Sequence, residues 1–244
     1  MKAVLFGILV AVAGYFTVNS LSEAAIDDMQ FDHPIVVELF TSQSCSSCPP
    51  ADALVQTLMD NDENIIVLAC HVDYWNHLHW KDDLSHAFCT KRQKNYEVNI
   101  LNRQVFTPQV LVNGTHSATG SVPFQVSSAL NRAKQNPLLK VDISQTNTDK
   151  ELQINLPKAL QDKDNLFMSL VVIDTSLKSR EIKRGENRGK TLTYRDTVSA
   201  LRDGKLPNKV AEFKIDDMRK TSDERLAILI HNGQGGPIIA AGKI

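Results

Sequence analysis

Apolar and polar positions follow two different rhythms along this chain. Ile35-Val36-Val37-Glu38-Leu39-Phe40 is a β-branched and apolar run, bounded by Pro34 and the polar Thr41-Ser42-Gln43-Ser44, and it predicts a buried strand. After Cys45-Ser46-Ser47-Cys48-Pro49-Pro50, the residues Ala51, Leu54, Val55, Leu58 and Met59 recur at helical spacing. Proline fits only the first turn of a helix, so this helix is predicted to open between Cys48 and Ala51. Ile65 to Ala69 predicts a second buried strand, which leads into a polar-aromatic stretch from His71 to Trp80. Residues 84–97 read as helix. Gln109-Val110-Leu111-Val112 and the segment after Asn113-Gly114 predict a hairpin, because Asn-Gly suits a type I′ turn. An amphipathic helix from Pro123 to Lys134 closes the unit.

Beyond Pro137 the period changes to two. Val141/Ile143, Leu152/Ile154/Leu156, Leu166 to Ile173, Leu226 to Ile230 and Ile238-Ile239 alternate between turn-forming segments. The expected class is therefore α/β: a mixed sheet with flanking helices over residues 31–137, then a mostly antiparallel, β-sandwich-like domain over residues 138–244. Residues 191–204 fit strand and helix equally.

Charge sharpens this division. The 244 residues carry 27 Lys+Arg and 28 Asp+Glu, with 42% hydrophobic residues, which excludes a disordered tail, a basic nucleic-acid coat and a multi-span membrane protein. Residues 1–137 have a net charge of −5 and residues 138–244 of +4. No nucleic-acid partner is expected.

The amino terminus predicts where the protein works. Lys2 precedes an uncharged apolar run from Ala3 to Val18, followed by small residues at Ser20, Ser22, Ala24 and Ala25. This is the pattern of a secretory signal peptide over residues 1–24, cleaved after Ala24. A retained anchor is the alternative, since a spanning helix needs ~20 residues. The expected location is secreted or periplasmic, with no stable membrane insertion once the signal is removed. In an oxidising compartment thiols pair, and four cysteines allow three connectivities. Cys45 and Cys48 are close enough to pair locally, which leaves Cys70 with Cys89.

A strand running into Cys-x-x-Cys at a helix start has a chemical logic. Unpaired N–H groups and the positive end of the helix dipole stabilise a thiolate there. Cys45 is the expected nucleophile and Cys48 the resolving thiol, able to attack a mixed disulfide formed by the first. An inert local disulfide and half of a zinc site are the alternatives, although zinc normally needs a second closely spaced pair. His71, His77 and His79 with Cys70 raise copper or zinc binding. The competing reading is a loop that walls the cysteine site, with Tyr74, Trp75 and Trp80 packed beside it. Gly185-Glu186-Asn187-Arg188-Gly189-Lys190-Thr191 imitates a phosphate loop, but Arg184 stands where that motif needs glycine, so a glycine-bounded turn is expected. Asn113-Gly114-Thr115 matches a glycosylation sequon, which the hairpin turn already explains.

Residues 31–137 resemble a thioredoxin-fold domain. More closely, the run from Val37 to Asp52 resembles the secreted "domain of unknown function 1223" family. So do His71-Val72-Asp73-Tyr74-Trp75, Trp80-Lys81-Asp82, Phe106-Thr107-Pro108-Gln109, Val112-Asn113-Gly114 and Arg184-Gly185-Glu186-Asn187-Arg188-Gly189. The resemblance implies a thioredoxin-like domain with a carboxy-terminal β domain, and no established substrate. It implies a cis Pro108 facing the cysteines, whose segment with Thr107 aligns the substrate backbone. It also raises a proton relay through Glu38, with a satisfied structural carboxyl as the other reading. Cys70 and Cys89 lie outside the family's motifs.

The function expected is thiol–disulfide exchange with a protein or small-molecule substrate, needing neither organic cofactor nor metal. A non-catalytic secreted binding protein and a copper-delivery protein are the rivals. Ser46 and Ser47 place no cation between the cysteines, so helix N–H groups must supply most of the thiolate's stabilisation. A redox titration of the Cys45/Cys48 pair should therefore give a potential nearer ~ −270 mV than the ~ −120 mV of a strong oxidant.

Overall fold

The computed structural model describes residues 29–100, 104–145, 151–206, 210–215 and 221–244, together with Ile26 and Met218. The expected signal peptide lies outside the described residues. Among the described residues no helix is long and apolar enough to cross a membrane.

Strands β1 (Ile35–Thr41) and β2 (Ile65–His71) are parallel and wholly buried, in register from Ile35↔Ile65 to Thr41↔His71. Both faces of such a pair must be covered, which is why their sequences are near-continuous apolar runs. The odd-numbered residues Ile35, Val37 and Leu39 pack beneath α1 (Pro49–Asn61) and α3 (Pro123–Gln135). The even-numbered Val36 and Phe40 pack beneath α2 (Ala87–Asn99) on the other face. Val126, Ala129, Leu130 and Ala133 give α3 its buried stripe at helical spacing.

β3 (Gln109–Val112) runs antiparallel to β1 and turns into β4 (His116–Thr119). Asn113 and Gly114 take φ values of 50° and 62°, as a type I′ turn demands. A Cβ on Gly114 would also come within 3.1 Å of the Ile238 backbone nitrogen.

The alternating segments of the second half divide between two sheets: Asp142–Gln145 and Glu151–Asn155 join a separate small one, and Leu166–Asp174, Glu224–Asn232 and Ile238–Lys243 the large one. The latter extend the sheet of the first half, giving nine strands in the order β4-β3-β1-β2-β11-β8-β13-β14-β5. Here β5 is Leu139–Lys140, β8 Leu166–Asp174, β11 Thr197–Lys205, β13 Glu224–Asn232 and β14 Ile238–Lys243. The junction is parallel, with Thr197 beside Ala69 and the Ala69 amide donating to the Asp196 carbonyl at 3.1 Å. The ambiguous stretch 191–204 is strand on both sides of a turn at Asp196, where φ is 57°.

A second layer covers the outer face. It is a three-stranded sheet ordered β12-β7-β6, made of β6 (Asp142–Gln145), β7 (Glu151–Asn155) and β12 (Val210–Lys214). Alternation along β8 divides its side chains: Leu170 and Val172 face this layer, and Val171 and Ile173 face α2. The long sheet curls around α2 until the Ile238 amide donates to the Asn113 carbonyl at 3.2 Å, joining its two wings.

A buried ionic cluster lies inside that curl. The Arg92 guanidinium makes two hydrogen bonds to the Glu38 carboxylate, one of them Nη2 to Oε1 at 3.1 Å. Arg92 Nη1 donates to Ser169 Oγ on β8 at 2.9 Å, and Tyr96 Oη donates to Glu38 Oε1 at 2.7 Å. Burial works against the Arg92 charge, and Glu38 outweighs it, so the pKa is raised. Removing one partner strands the other charge in the core. Arg92→Ala and Glu38→Ala should each lower the free energy of urea unfolding by about 3–5 kcal/mol. The double variant Glu38→Leu/Arg92→Met, which removes both charges, should lose much less.

Candidate functional site

The parallel strands end together, and the chain leaves β1 at Thr41 to form the loop that carries the cysteines. Gln43 is buried in that loop, its amide donating to Asp82 Oδ2 at 2.8 Å and its side-chain carbonyl accepting from Trp80 Nε1 at 2.8 Å. Ser44 Oγ donates to the Trp80 carbonyl at 2.9 Å. The loop is thus fastened to the polar-aromatic stretch before Cys45 is reached. Cys45 and Cys48 form a disulfide with Cα atoms 5.4 Å apart, and Cys48 caps α1 ahead of Pro49 and Pro50. The Ser47 hydroxyl lies 3.4 Å from Cys45 Sγ.

The pair is covered from the second half of the chain. β9 (Lys178–Glu181) and β10 (Thr191–Tyr194) form a separate two-stranded hairpin, whose connecting loop takes positive φ at Gly185 (80°) and Gly189 (81°). At its centre the fully buried Asn187 donates through Nδ2 to the carbonyls of Gln43 and Cys45, both at 2.9 Å. Lys190 Nζ holds Asn187 Oδ1 at 2.9 Å. Arg180 pairs with Asp83 at 2.7 Å, fastening the hairpin to the aromatic loop. Cys45 is left only 2% exposed and Cys48 0%.

One turn into α1 stands a buried acid. The Asp52 amide donates to the Cys48 carbonyl at 3.0 Å, and neither Asp52 carboxylate oxygen has a hydrogen-bond partner among the described residues. Strand register explains what surrounds it. Thr41 and His71 are cross-strand partners and share the parity of Ile35 and Ile65, so both point to the α1 face. His71 Nδ1 is 2.8 Å from Asp82 Oδ2, while its Nε2 is unpartnered, as are Thr41 Oγ1 and Tyr194 Oη. The rings of Tyr194 and His71 meet edge to face, 4.8 Å apart.

Burial raises the Asp52 pKa to about 7, against the lowering effects of His71 and the nearby Thr41 hydroxyl. For His71 burial acts downward, but the charge and hydrogen bond of Asp82, followed by Asp52, carry its pKa above 6.5. The arrangement places a carboxyl that titrates near neutrality one helical turn from a cysteine.

The family model described as a protein of unknown function, DUF1223, matches residues 36–231. The chain belongs to this family. No curated protein matches it. The crystal structure of protein AGR_C_4864 from Agrobacterium tumefaciens is similar at 25% identity and a TM-score of 0.70, covering 86% of this chain and 93% of that one. HBP35 of Porphyromonas gingivalis is similar in fold, at 15% identity and a TM-score of 0.57, over 88% of this chain and 75% of that one.

The other predicted site residues of this DUF1223 protein fall into four groups. The register Phe40↔Gln109 puts Pro108 level with Thr41, at the end of the sheet from which the cysteine loop departs; the Thr107–Pro108 bond is cis. Thr107 Oγ1 accepts from Trp75 Nε1 at 2.9 Å, and Tyr74 Oη lies 3.3 Å from Gln93 Oε1, so these residues form one wall. Burial pushes the Tyr74 hydroxyl up to about 12.

Glu38 is not beneath the cysteines. It shares the α2 face with Val36 and Phe40, with the sheet between it and α1, and its carboxylate is held by Arg92 and Tyr96. Cys70 and Cys89 are bonded, with Cα atoms 5.4 Å apart, and tie the end of β2 to the first turn of α2. The three histidines do not converge: His71 is buried on Asp82, His77 is exposed with Nδ1 2.7 Å from the Tyr74 carbonyl, and His79 faces a different cleft. Among the described residues no group of three His, Cys, Asp or Glu side chains could hold a metal.

The raised Asp52 pKa makes stability fall with pH. Between 3.8 and about 7 the folded protein keeps a proton on Asp52 that the unfolded chain releases. His71 has the same sign, binding more protons when folded above its ordinary 6.5. Urea unfolding of the oxidised protein should show Asp52→Asn gaining stability relative to the parent as pH rises from 4 to 7, by up to a few kcal/mol.

Proposed function

We propose that this chain is an exported thiol–disulfide oxidoreductase, working through Cys45 and Cys48 in a secreted or periplasmic setting. The observation that carries this reading is the cysteine pair at the opening of α1, with buried Asp52 one turn beyond it. A thioredoxin-like reading of the first half is supported by the sequence of elements from β1 to α3 and by the strand order β4-β3-β1-β2. Pro108 and Thr107, at the same end of the sheet, would align substrate backbone.

In the disulfide form, a substrate thiolate attacks Cys45 Sγ and breaks the Cys45–Cys48 bond. Cys48 leaves as a thiolate and takes up a proton, which Asp52, one turn along α1, would supply. The second substrate thiol then attacks the mixed disulfide, releasing substrate disulfide and the Cys45 thiolate. Two electrons pass to the cysteine pair, and the steps run backward for a disulfide substrate. A group titrating near pH 7 serves both directions.

One observation favours a second reading. Cys45 is covered by the Asn187 loop, as a disulfide that only fixes the loop of a binding protein would be.

Trapping separates the two. Cys48→Ser should accumulate mixed disulfides with substrate, because the nucleophile remains and its resolving partner is gone; Cys45→Ser should trap nothing. Asp52→Asn should slow exchange by about a hundredfold and remove an inflection near pH 7 from its rate profile. Exchange unaffected by either cysteine substitution establishes the binding-protein reading instead.

A further inference from the structure

A cleft of about 740 Å³ opens where the cysteine loop meets the hairpin, between Ser44, Leu78 and His79 on one side and the hairpin loop on the other. The loop contributes Lys183, Arg184 and Arg188 to its wall. All three cations are exposed, and none makes an ion pair or side-chain hydrogen bond among the described residues. The acid in the wall is Glu186, and its Oε2 is 3.3 Å from the Ser46 amide, turned toward the cysteine loop. The wall therefore carries three cations against one carboxylate, a local excess of positive charge on a protein whose overall charge is −1.

This charge is held in place. Asn187, between Arg184 and Arg188, is locked onto the Gln43 and Cys45 carbonyls, so the loop cannot shift along the cysteine segment without breaking two buried hydrogen bonds. Ser44, on the opposite wall, immediately precedes Cys45. The volume lies in the range of clefts that enclose a small ligand or a short run of chain.

We propose that this cleft binds the acidic flank of the substrate: a segment whose carboxylates engage Lys183, Arg184 and Arg188 while its cysteine is presented to Cys45. This deepens the oxidoreductase reading and rests on it for the chemistry, though not for the binding. An excess of positive charge next to the cysteine loop raises the encounter rate of an oppositely charged partner, and salt screens the effect.

The experiment uses two peptides, Glu-Glu-Cys-Glu-Glu and Lys-Lys-Cys-Lys-Lys, each activated as a 2-thiopyridyl disulfide. The reduced protein attacks the peptide sulfur and expels 2-thiopyridone, which is followed by its absorbance. The acidic peptide should react about tenfold faster at low ionic strength, and the advantage should shrink with added salt. The Lys183→Glu/Arg184→Glu/Arg188→Glu variant should reverse the preference, with thermal unfolding confirming that it is folded. Equal rates for the two peptides, or a preference untouched by the triple variant, overturns the proposal and leaves the redox reading standing.

A fluorescent Glu-Glu-Ser-Glu-Glu peptide, which cannot exchange, reports binding to the oxidised protein by anisotropy. Salt-sensitive binding that the triple variant abolishes, with no exchange by any peptide, upholds the cleft and overturns the redox reading. No difference in binding between this peptide and its lysine counterpart counts against the cleft.

Discussion

The architecture turns on a single buried guanidinium. Arg92 projects from α2 into the curl of the sheet, where it reaches Glu38 on β1 and Ser169 on β8, strands that lie three places apart in the strand order. Apolar contacts around α2 would hold these strands near one another without fixing how far the sheet bends. Directional hydrogen bonds from one planar group to both wings set that curvature, and the desolvated charge makes other arrangements costly. The Cys70–Cys89 bond fixes the other coordinate, holding the first turn of α2 against the end of β2. With α2 so placed, the aromatic loop between them has a defined span, and it is this loop that grips Gln43 and Ser44.

Much of this was legible in order along the chain. The apolar run of β1, the helix opening at Pro49, the Asn113-Gly114 turn and the alternation of β8 and β13 each follow from local rules acting over a few residues. Strand partnership did not follow, because alternation tells which face is buried and not which neighbour supplies the hydrogen bonds. Thus within residues 191–204, which fit strand and helix alike, the strand that begins at Thr197 pairs with both β2 and β8 and carries part of the second half into the first sheet.

The site shows the same limit. Glu38 stands out in sequence as an acid within an apolar strand, but nothing local indicates that Arg92, on a distant helix, is its partner. Asp52 carried a signal of its own: it falls in phase with Val55 and Met59 on the apolar stripe of α1, an improbable place for an unpaired carboxylate. Asn187 was visible only as part of a charged, glycine-bounded turn. Its two bonds to the cysteine loop depend on a hairpin whose position is set by tertiary contacts such as Arg180–Asp83.

The hairpin that covers the cysteines is encoded well over a hundred residues after them. Synthesis proceeds from the amino terminus, so Cys45 and Cys48 emerge while Asn187, Tyr194 and the cations of the loop are still to come. During that interval the two thiols have no lid, and any oxidant or disulfide meets them directly. The cysteine centre is thus completed late, when the hairpin arrives and closes over residues already in place.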